Sequence, residues 1–241
     1  MDVDRALLIR CLDLTSLDDD DDAARIEALC RRGVEPVAGR IDLVVAAVCV
    51  WPRFAGQARD LLNACAVRVA CATGGFPVPD EPLDRRLDQI RASVDGGAEE
   101  VDTVLNRWLL DEPAALAAEL EATRSAAGDA TWKAILETGA LTSDGIRQAA
   151  DAAIGAGADF LKTSTGAGAP GASPAAVSIL LERIAAADRS VGLKVSGGVR
   201  TAEQAMAYLA QVRGILGPAW PAPARFRIGA SALLDDLVAS A

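Results

Sequence analysis

Gly157-Ala-Asp-Phe-Leu-Lys-Thr163 combines a helix stop, a strand start and a charged strand residue in one short segment. Glycine commonly ends helices because it adopts backbone conformations that other residues avoid, and the apolar residues after it are typical of a buried strand. The same Gly-Ala-acid pattern occurs at Gly97-Ala-Glu99, again where a helical segment ends and a strand-like segment begins. The two copies indicate a repeated unit of one strand and one helix.

Outward from this unit, short β-branched or apolar segments alternate with longer segments of helical periodicity along the whole chain. Eight strands are predicted, at residues 8–14, 44–50, 67–73, 99–105, 132–137, 159–163, 191–195 and 225–229. Eight such units favour a parallel sheet closed into a (β/α)8 TIM barrel, with residues 1–241 as a single domain. An open, doubly wound sheet is the alternative, but its usual Gly-x-Gly-x-x-Gly loop after the first strand is absent.

Helix termini are also visible in the sequence. Five acidic residues at positions 18–22 favour a helix N-terminus there. Pro113 suits the first turn of a helix that would end at Gly128. Ser173-Pro174 predicts a third helix start, with Ser173 as the N-cap. Thr201 and Gln204 have the spacing of a capping box. These signals separate the predicted strands and support the count of units.

Composition excludes several classes of function. The chain has 34 acidic and 24 basic residues, a net charge of −10, and therefore repels nucleic acid and anionic membrane surfaces. It has no histidine, which removes the commonest general base and the commonest zinc ligand, so we expect neither a metal nor another cofactor. The sequence shows no signal peptide and no apolar run of membrane-spanning length, which predicts a soluble, cytoplasmic protein. Its five cysteines form no Cys-x-x-Cys pair and are predicted to be free thiols.

Charged residues lie in or just after several predicted strands, and the C-terminal ends of barrel strands are where catalysis occurs in this fold. They are Asp13, Asp102, Glu137, Lys162 and Lys194. Two lysines in apolar strands would depress each other's pKa, and a neutral lysine amine attacks carbonyl groups. One of the two lysines would then be the nucleophile and the other its electrostatic activator, with Asp102 as the acid/base. The alternative is purely structural: buried ion pairs from the lysines to Asp102 and Glu137.

Glycine-containing turns follow the last three predicted strands. The last βα loops of such barrels commonly bind phosphate through backbone N–H groups, and glycine lets the backbone approach the ligand. A phosphorylated small-molecule substrate is therefore expected. The predicted phosphate-binding residues are Gly166, Gly197, Gly198, Arg200, Gly229 and Ser231.

The sequence resembles the deoxyribose-phosphate aldolase family over nearly its whole length. The matching segments are Leu12-Asp-Leu-Thr-Ser-Leu17, Ala46-Ala-Val-Cys-Val-Trp-Pro-Arg-Phe54, Glu100-Val-Asp102, Ile135-Leu-Glu-Thr-Gly139, Ala158-Asp-Phe-Leu-Lys-Thr-Ser-Thr-Gly166, Gly192-Leu-Lys-Val-Ser-Gly-Gly-Val-Arg-Thr201 and Arg227-Ile-Gly-Ala-Ser231. The resemblance implies a metal-independent, Schiff-base aldolase that reversibly cleaves 2-deoxy-D-ribose 5-phosphate into D-glyceraldehyde 3-phosphate and acetaldehyde. In that family the lysine of the Lys-Thr-Ser-Thr-Gly segment forms the Schiff base, so the resemblance implies that Lys162 is the nucleophile and Lys194 the second lysine. It also implies that Asp102 is the acid/base carboxylate and that Asp13 belongs to the acidic network of the site.

The chain departs from that family at two points. Well-studied bacterial members carry a phosphate-contacting lysine where this chain has Ala167, and some end in a tyrosine, whereas Tyr208 is the only tyrosine here.

Two alternative functions stay open. One is a different reaction on the same fold, such as transaldolase or sugar-phosphate isomerase chemistry, and the other is a non-catalytic binding protein. The sequence leaves open whether Cys49 reaches the site, and a homodimer is the assembly considered.

Overall fold

The computed structural model describes residues 2–239, which form eight strands and nine α-helices. The strands are β1 (Leu12–Thr15), β2 (Ala47–Val50), β3 (Arg68–Thr73), β4 (Glu100–Val104), β5 (Thr131–Ile135), β6 (Phe160–Lys162), β7 (Gly192–Ser196) and β8 (Phe226–Ala230). The helices are α1 (Val3–Arg10), α2 (Ala23–Val34), α3 (Ala55–Leu62), α4 (Leu83–Asp95), α5 (Pro113–Ala127), α6 (Ser143–Gly155), α7 (Pro174–Ala186), α8 (Ala202–Leu216) and α9 (Leu233–Ala239).

All eight strands are parallel and pair in sequence order, and β8 pairs with β1 to close the barrel. One helix follows each strand, which confirms the predicted (β/α)8 fold. Strand residues alternate between two environments because successive side chains point to opposite faces. One set, such as Val101, Leu161 and Val195, joins the main apolar core with the helices. The other set faces the barrel interior and contains the charged residues.

The first strand, predicted at residues 8–14, was placed too early in the chain. Residues 8–10 belong to α1, and β1 begins only at Leu12. The apolar run that suggested a strand is instead the buried side of a short helix, where Leu8 and Ile9 are fully buried. Asp2 caps this helix by accepting a hydrogen bond from the Arg5 N–H at 2.8 Å. The other seven predicted strands overlap the observed ones to within a few residues.

Helix starts follow the predicted signals. Asp22 caps α2, Pro113 opens α5, Ser173 caps α7 ahead of Pro174, and Thr201 forms the expected capping box with Gln204. No α-helix within residues 2–239 is long and apolar enough to cross a membrane. These signals fix where each of the four helices begins after its strand.

Candidate active site

Asp102 is the centre of the charged barrel interior. It lies in the middle of β4 with no exposed surface, and three lysines from the next strands round the barrel contact its carboxylate. Lys162 and Lys194 both donate to Oδ2 at 2.7 Å, and Lys133 donates to Oδ1 at 2.8 Å. These are the only three lysines in the sequence. The fold therefore gathers every ammonium-type side chain of the protein round one carboxylate.

A second acid lies beside this centre. The Asp13 carboxylate, from β1, contacts Lys194 at 2.6 Å and Lys133 at 3.4 Å. Its other oxygen accepts a hydrogen bond from the Arg227 guanidinium at 2.5 Å. The four predicted catalytic residues, Asp13, Asp102, Lys162 and Lys194, are thus brought together as one connected group.

The pKa values of the two lysines shift in opposite directions. Burial lowers the pKa of Lys162, and Lys194 lowers it further, so that it lies below its ordinary value although Asp102 opposes the shift. Burial also lowers the pKa of Lys194, but Asp102 and Asp13 outweigh it and the net shift is upward. Neighbouring cations hold the pKa values of Asp102 and Asp13 below their ordinary range against the effect of burial. Lys162 is therefore the side chain best suited to act as a free amine.

Lys162 is the last residue of β6, at the end of the barrel where the loops meet. The half-buried Phe76 ring, from the loop after β3, has its centroid 5.7 Å from Lys162 Nζ and packs edge-on against Trp51 at 5.8 Å between centroids. The Lys162 side chain is only 4% exposed, so little of its surface meets bulk water. Cys49 is buried within the barrel near the charged groups, and burial raises the pKa of its thiol. It borders the site as a protonated, weakly nucleophilic group.

The predicted phosphate-binding residues lie in the loops after β6, β7 and β8. Gly166, Gly197 and Gly198 have φ values of 87°, 88° and 85°, a left-handed conformation that favours glycine. The two loops touch, because a Cβ built on Gly166 would lie 3.8 Å from the Gly197 Cα. Arg200 and Ser231 are exposed at the same end of the barrel.

Gly229 has a second, steric role. A Cβ at this position would lie 2.9 Å from the Lys194 Cε and 3.1 Å from the Ser196 Cβ. The absence of a side chain at Gly229 therefore leaves the space through which Lys194 reaches Asp13 and Asp102.

Sequence reasoning missed three charged residues of the interior: Glu100, Lys133 and Arg227. The available signal was a charge at alternate positions of an otherwise apolar strand, as in Glu100-Val-Asp102. The suggested pairing of a lysine with Glu137 was wrong. Glu137 follows β5 in a left-handed conformation with φ 52°, and its carboxylate accepts hydrogen bonds from the Thr165 N–H and hydroxyl.

The sequence profile of the DeoC/LacD family aldolases matches residues 7–238. The chain belongs to this family. It is 37% identical over 238 residues to the deoxyribose-phosphate aldolase of Agrobacterium fabrum, covering 97% of this chain and 90% of the relative. It is 38% identical to the mouse protein of the same name, over 94% of this chain and 77% of the relative.

Solved structures show the same barrel. The aldolase QR15 superposes with a TM-score of 0.80 at 25% identity, covering 96% of both chains. The tetrameric deoxyribose phosphate aldolase from Aeropyrum pernix superposes with a TM-score of 0.79 at 24% identity, over 98% of this chain and 91% of its own. At that identity the second likeness concerns the fold alone. The family membership and the lysine cluster together make aldolase chemistry the activity to consider.

Proposed function

We propose that this protein is a Schiff-base aldolase that reversibly cleaves 2-deoxy-D-ribose 5-phosphate into D-glyceraldehyde 3-phosphate and acetaldehyde. The observation that carries the proposal is Lys162, a buried lysine with a lowered pKa that contacts one carboxylate and lies at the C-terminal end of β6. The names of the relatives at 37–38% identity support the same substrate. The predicted homodimer and cytoplasmic location remain predictions.

In this mechanism the Lys162 amine attacks C1 of the open-chain sugar to give a carbinolamine, which loses water and becomes an iminium ion. Removal of the C3 hydroxyl proton then breaks the C2–C3 bond, releases glyceraldehyde 3-phosphate and leaves an enamine on Lys162. Protonation of the enamine at C2 and hydrolysis release acetaldehyde and restore the amine.

Asp102 and Lys194 are the groups proposed to move these protons. Asp102 Oδ2 accepts one hydrogen bond from Lys162 and another from Lys194, each at 2.7 Å, so a proton donor and a proton acceptor lie next to the reacting nitrogen. Asp13 holds Lys194 from its other side at 2.6 Å. The phosphate would bind at the opposite end of the substrate, against the N–H groups of Gly166, Gly197 and Gly198, with Arg200, Gly229 and Ser231 beside them.

The first test measures cleavage and traps the intermediate. Purified protein is incubated with deoxyribose 5-phosphate, acetaldehyde release is followed, and borohydride is then added during turnover. Reduction should leave an ethyl group on Lys162, identified by peptide mass spectrometry. With only three lysines in the chain, Lys133 and Lys194 serve as internal controls and should stay unmodified. Acetaldehyde release without an adduct, or an adduct on either control, would contradict the assignment of Lys162.

A further inference from the structure

Six charged side chains form a closed circuit of ion pairs in the barrel interior, and Lys162 touches this circuit at one member only. Each acid contacts the cation on either side of it, with N–O distances of 2.5–2.9 Å. No member exposes more than 5% of its side chain. We call this set the ion-pair ring; in order, its members are Asp102, Lys133, Glu100, Arg227, Asp13 and Lys194.

The ring is balanced without Lys162. It contains three carboxylates and three cations, so its formal charge is zero when all six are ionised. A protonated Lys162 would add one uncompensated positive charge to the buried interior, and such a charge is costly. A neutral Lys162 leaves the balance intact.

We propose that Glu100 and Arg227 are positioning residues that balance the charge of the barrel interior and thereby keep the Lys162 side chain as a neutral amine. The inference rests on the proposed function of Lys162 as the nucleophile. Neither residue is placed to touch a substrate. Glu100 precedes Asp102 by two residues on β4, and Arg227 precedes Gly229 by two on β8, so both lie nearer the N-terminal ends of the strands.

The surroundings fix these two side chains firmly. The guanidinium of Arg227 donates to both oxygens of Glu100, at 2.9 and 3.2 Å, and its Nε donates to the carbonyl of Pro223. Both side chains line a cavity of about 410 Å³ at the N-terminal end of the barrel, where Arg68 lies 3.8 Å from Glu100. Arg68 is half exposed, so solvent screens its charge and the ring remains the buried unit.

The groups that face Lys162 itself are few. Asp102 from β4 and Lys194 from β7 are the charged ones, Cys49 from β2 contributes its thiol, and Phe76 contributes its ring. Asp102 and Lys194 are the charged members of this set, and both belong to the ring. A change of charge elsewhere in the ring should therefore alter the protonation of Lys162 through these two residues.

The test changes the ring charge in both directions. Arg227→Met removes a cation and should favour protonated Lys162, so that the amine appears only at higher pH. Glu100→Gln removes an anion with little change of shape, so the neutral amine of Lys162 should form at lower pH. Each shift should be on the order of one pH unit. In the double variant Glu100→Gln/Arg227→Met the ring is neutral again. The pH at which the Lys162 amine forms should therefore be close to that of the unchanged protein.

The measurement is the rate at which acetaldehyde and cyanoborohydride alkylate Lys162, followed by mass spectrometry from pH 5 to 10. Unchanged protein with isotopically heavy lysine is added to each tube as the internal standard. Arg10→Met is the control, since Arg10 lines the same cavity and carries the same charge but is 44% exposed and outside the ring. It should leave the alkylation profile within about 0.3 pH unit of the parent.

Opposite shifts in the two single variants, with recovery in the double variant, support the proposal even where a single variant loses stability. Shifts of the same sign, no shift in Glu100→Gln, or no recovery in the double variant overturn it. The alkylation needs no substrate turnover. A protein that fails to cleave deoxyribose 5-phosphate but shows the opposite shifts would refute the proposed function and retain the role of the ring.

Discussion

The three lysines show how identical side chains acquire different chemistry from the number of acids they touch. Lys133 contacts three carboxylates, Lys194 contacts two, and Lys162 contacts one. Burial disfavours the charge on all three, and each nearby carboxylate restores it in part. The pKa values of Lys133 and Lys194 are accordingly raised, and that of Lys162 is lowered. The proposed nucleophile, Lys162, is the buried lysine with the fewest acidic partners.

Ala167 offers a test of the phosphate site at the scale of one residue. It is exposed in the loop after β6, at the position where well-studied bacterial members of the family carry a phosphate-contacting lysine. Ala167→Lys should lower KM for deoxyribose 5-phosphate by about 10-fold or more, because a charge-assisted hydrogen bond contributes about 1.5–3 kcal/mol. The KM for unphosphorylated deoxyribose should change little, since it presents no dianion.

Steady-state kinetics with both sugars check this expectation. Ala169→Lys, two residues further along the same loop, adds the same charge and controls for long-range attraction. Equal effects of the two variants, or equal effects on both sugars, would mean that position 167 does not face the phosphate.

At the scale of elements, the strands were predictable where apolar residues and glycine stops marked them. The first strand was predicted too early because Leu7-Leu-Ile9 is compatible with either a strand or the buried side of a helix. The deciding contacts are distant in sequence: α1 packs against α8, and Asp4 pairs with Arg213 at 2.6 Å. Local pattern cannot supply that information, and so the boundary was wrong while the number of units was right.

Gly229 connects strand packing to the site. The backbone there does not have a positive φ, so alanine fits its conformation, but the added methyl would lie 2.9 Å from the Lys194 Cε. Gly229→Ala should push Lys194 away from Asp13 and Asp102. We expect kcat to fall on the order of 10²-fold, because a displacement of about 1 Å in a catalytic group has effects of this size. Overpacking should cost about 1–3 kcal/mol in stability.

Kinetics and urea unfolding of the same variant separate the two effects. Gly214→Ala is the control: Gly214 is exposed in α8, and a Cβ there would meet no atom within 4 Å. The Gly214→Ala variant should gain up to about 1 kcal/mol in free energy of unfolding and keep full activity. A Gly229→Ala enzyme with unchanged kcat would show that Lys194 has more freedom than its contacts suggest.

At the scale of the whole molecule, the ring joins residues from five strands, β1, β4, β5, β7 and β8. Sequence alone identified Asp13, Asp102, Lys162 and Lys194, because charges at the ends of apolar strands and the family resemblance both marked them. Glu100, Lys133 and Arg227 were missed because each looks like an ordinary polar strand residue until barrel closure brings β8 next to β1. Charge balance is a property of the closed barrel, not of any single segment.

The last prediction uses one substitution at two positions of this interior. Lys133→Met removes a ring cation and leaves a buried negative charge without a partner, so unfolding free energy should fall by about 3–5 kcal/mol. If Lys162 is neutral, as proposed, Lys162→Met leaves the charge balance of the ring unchanged and should change the free energy of unfolding by less than about 1.5 kcal/mol. The two side chains are similarly buried, at 0% and 4% exposed, so burial alone predicts equal costs. Urea unfolding at pH 7 compares them directly, and equal losses would refute the account of Lys162 as the uncharged member of the interior.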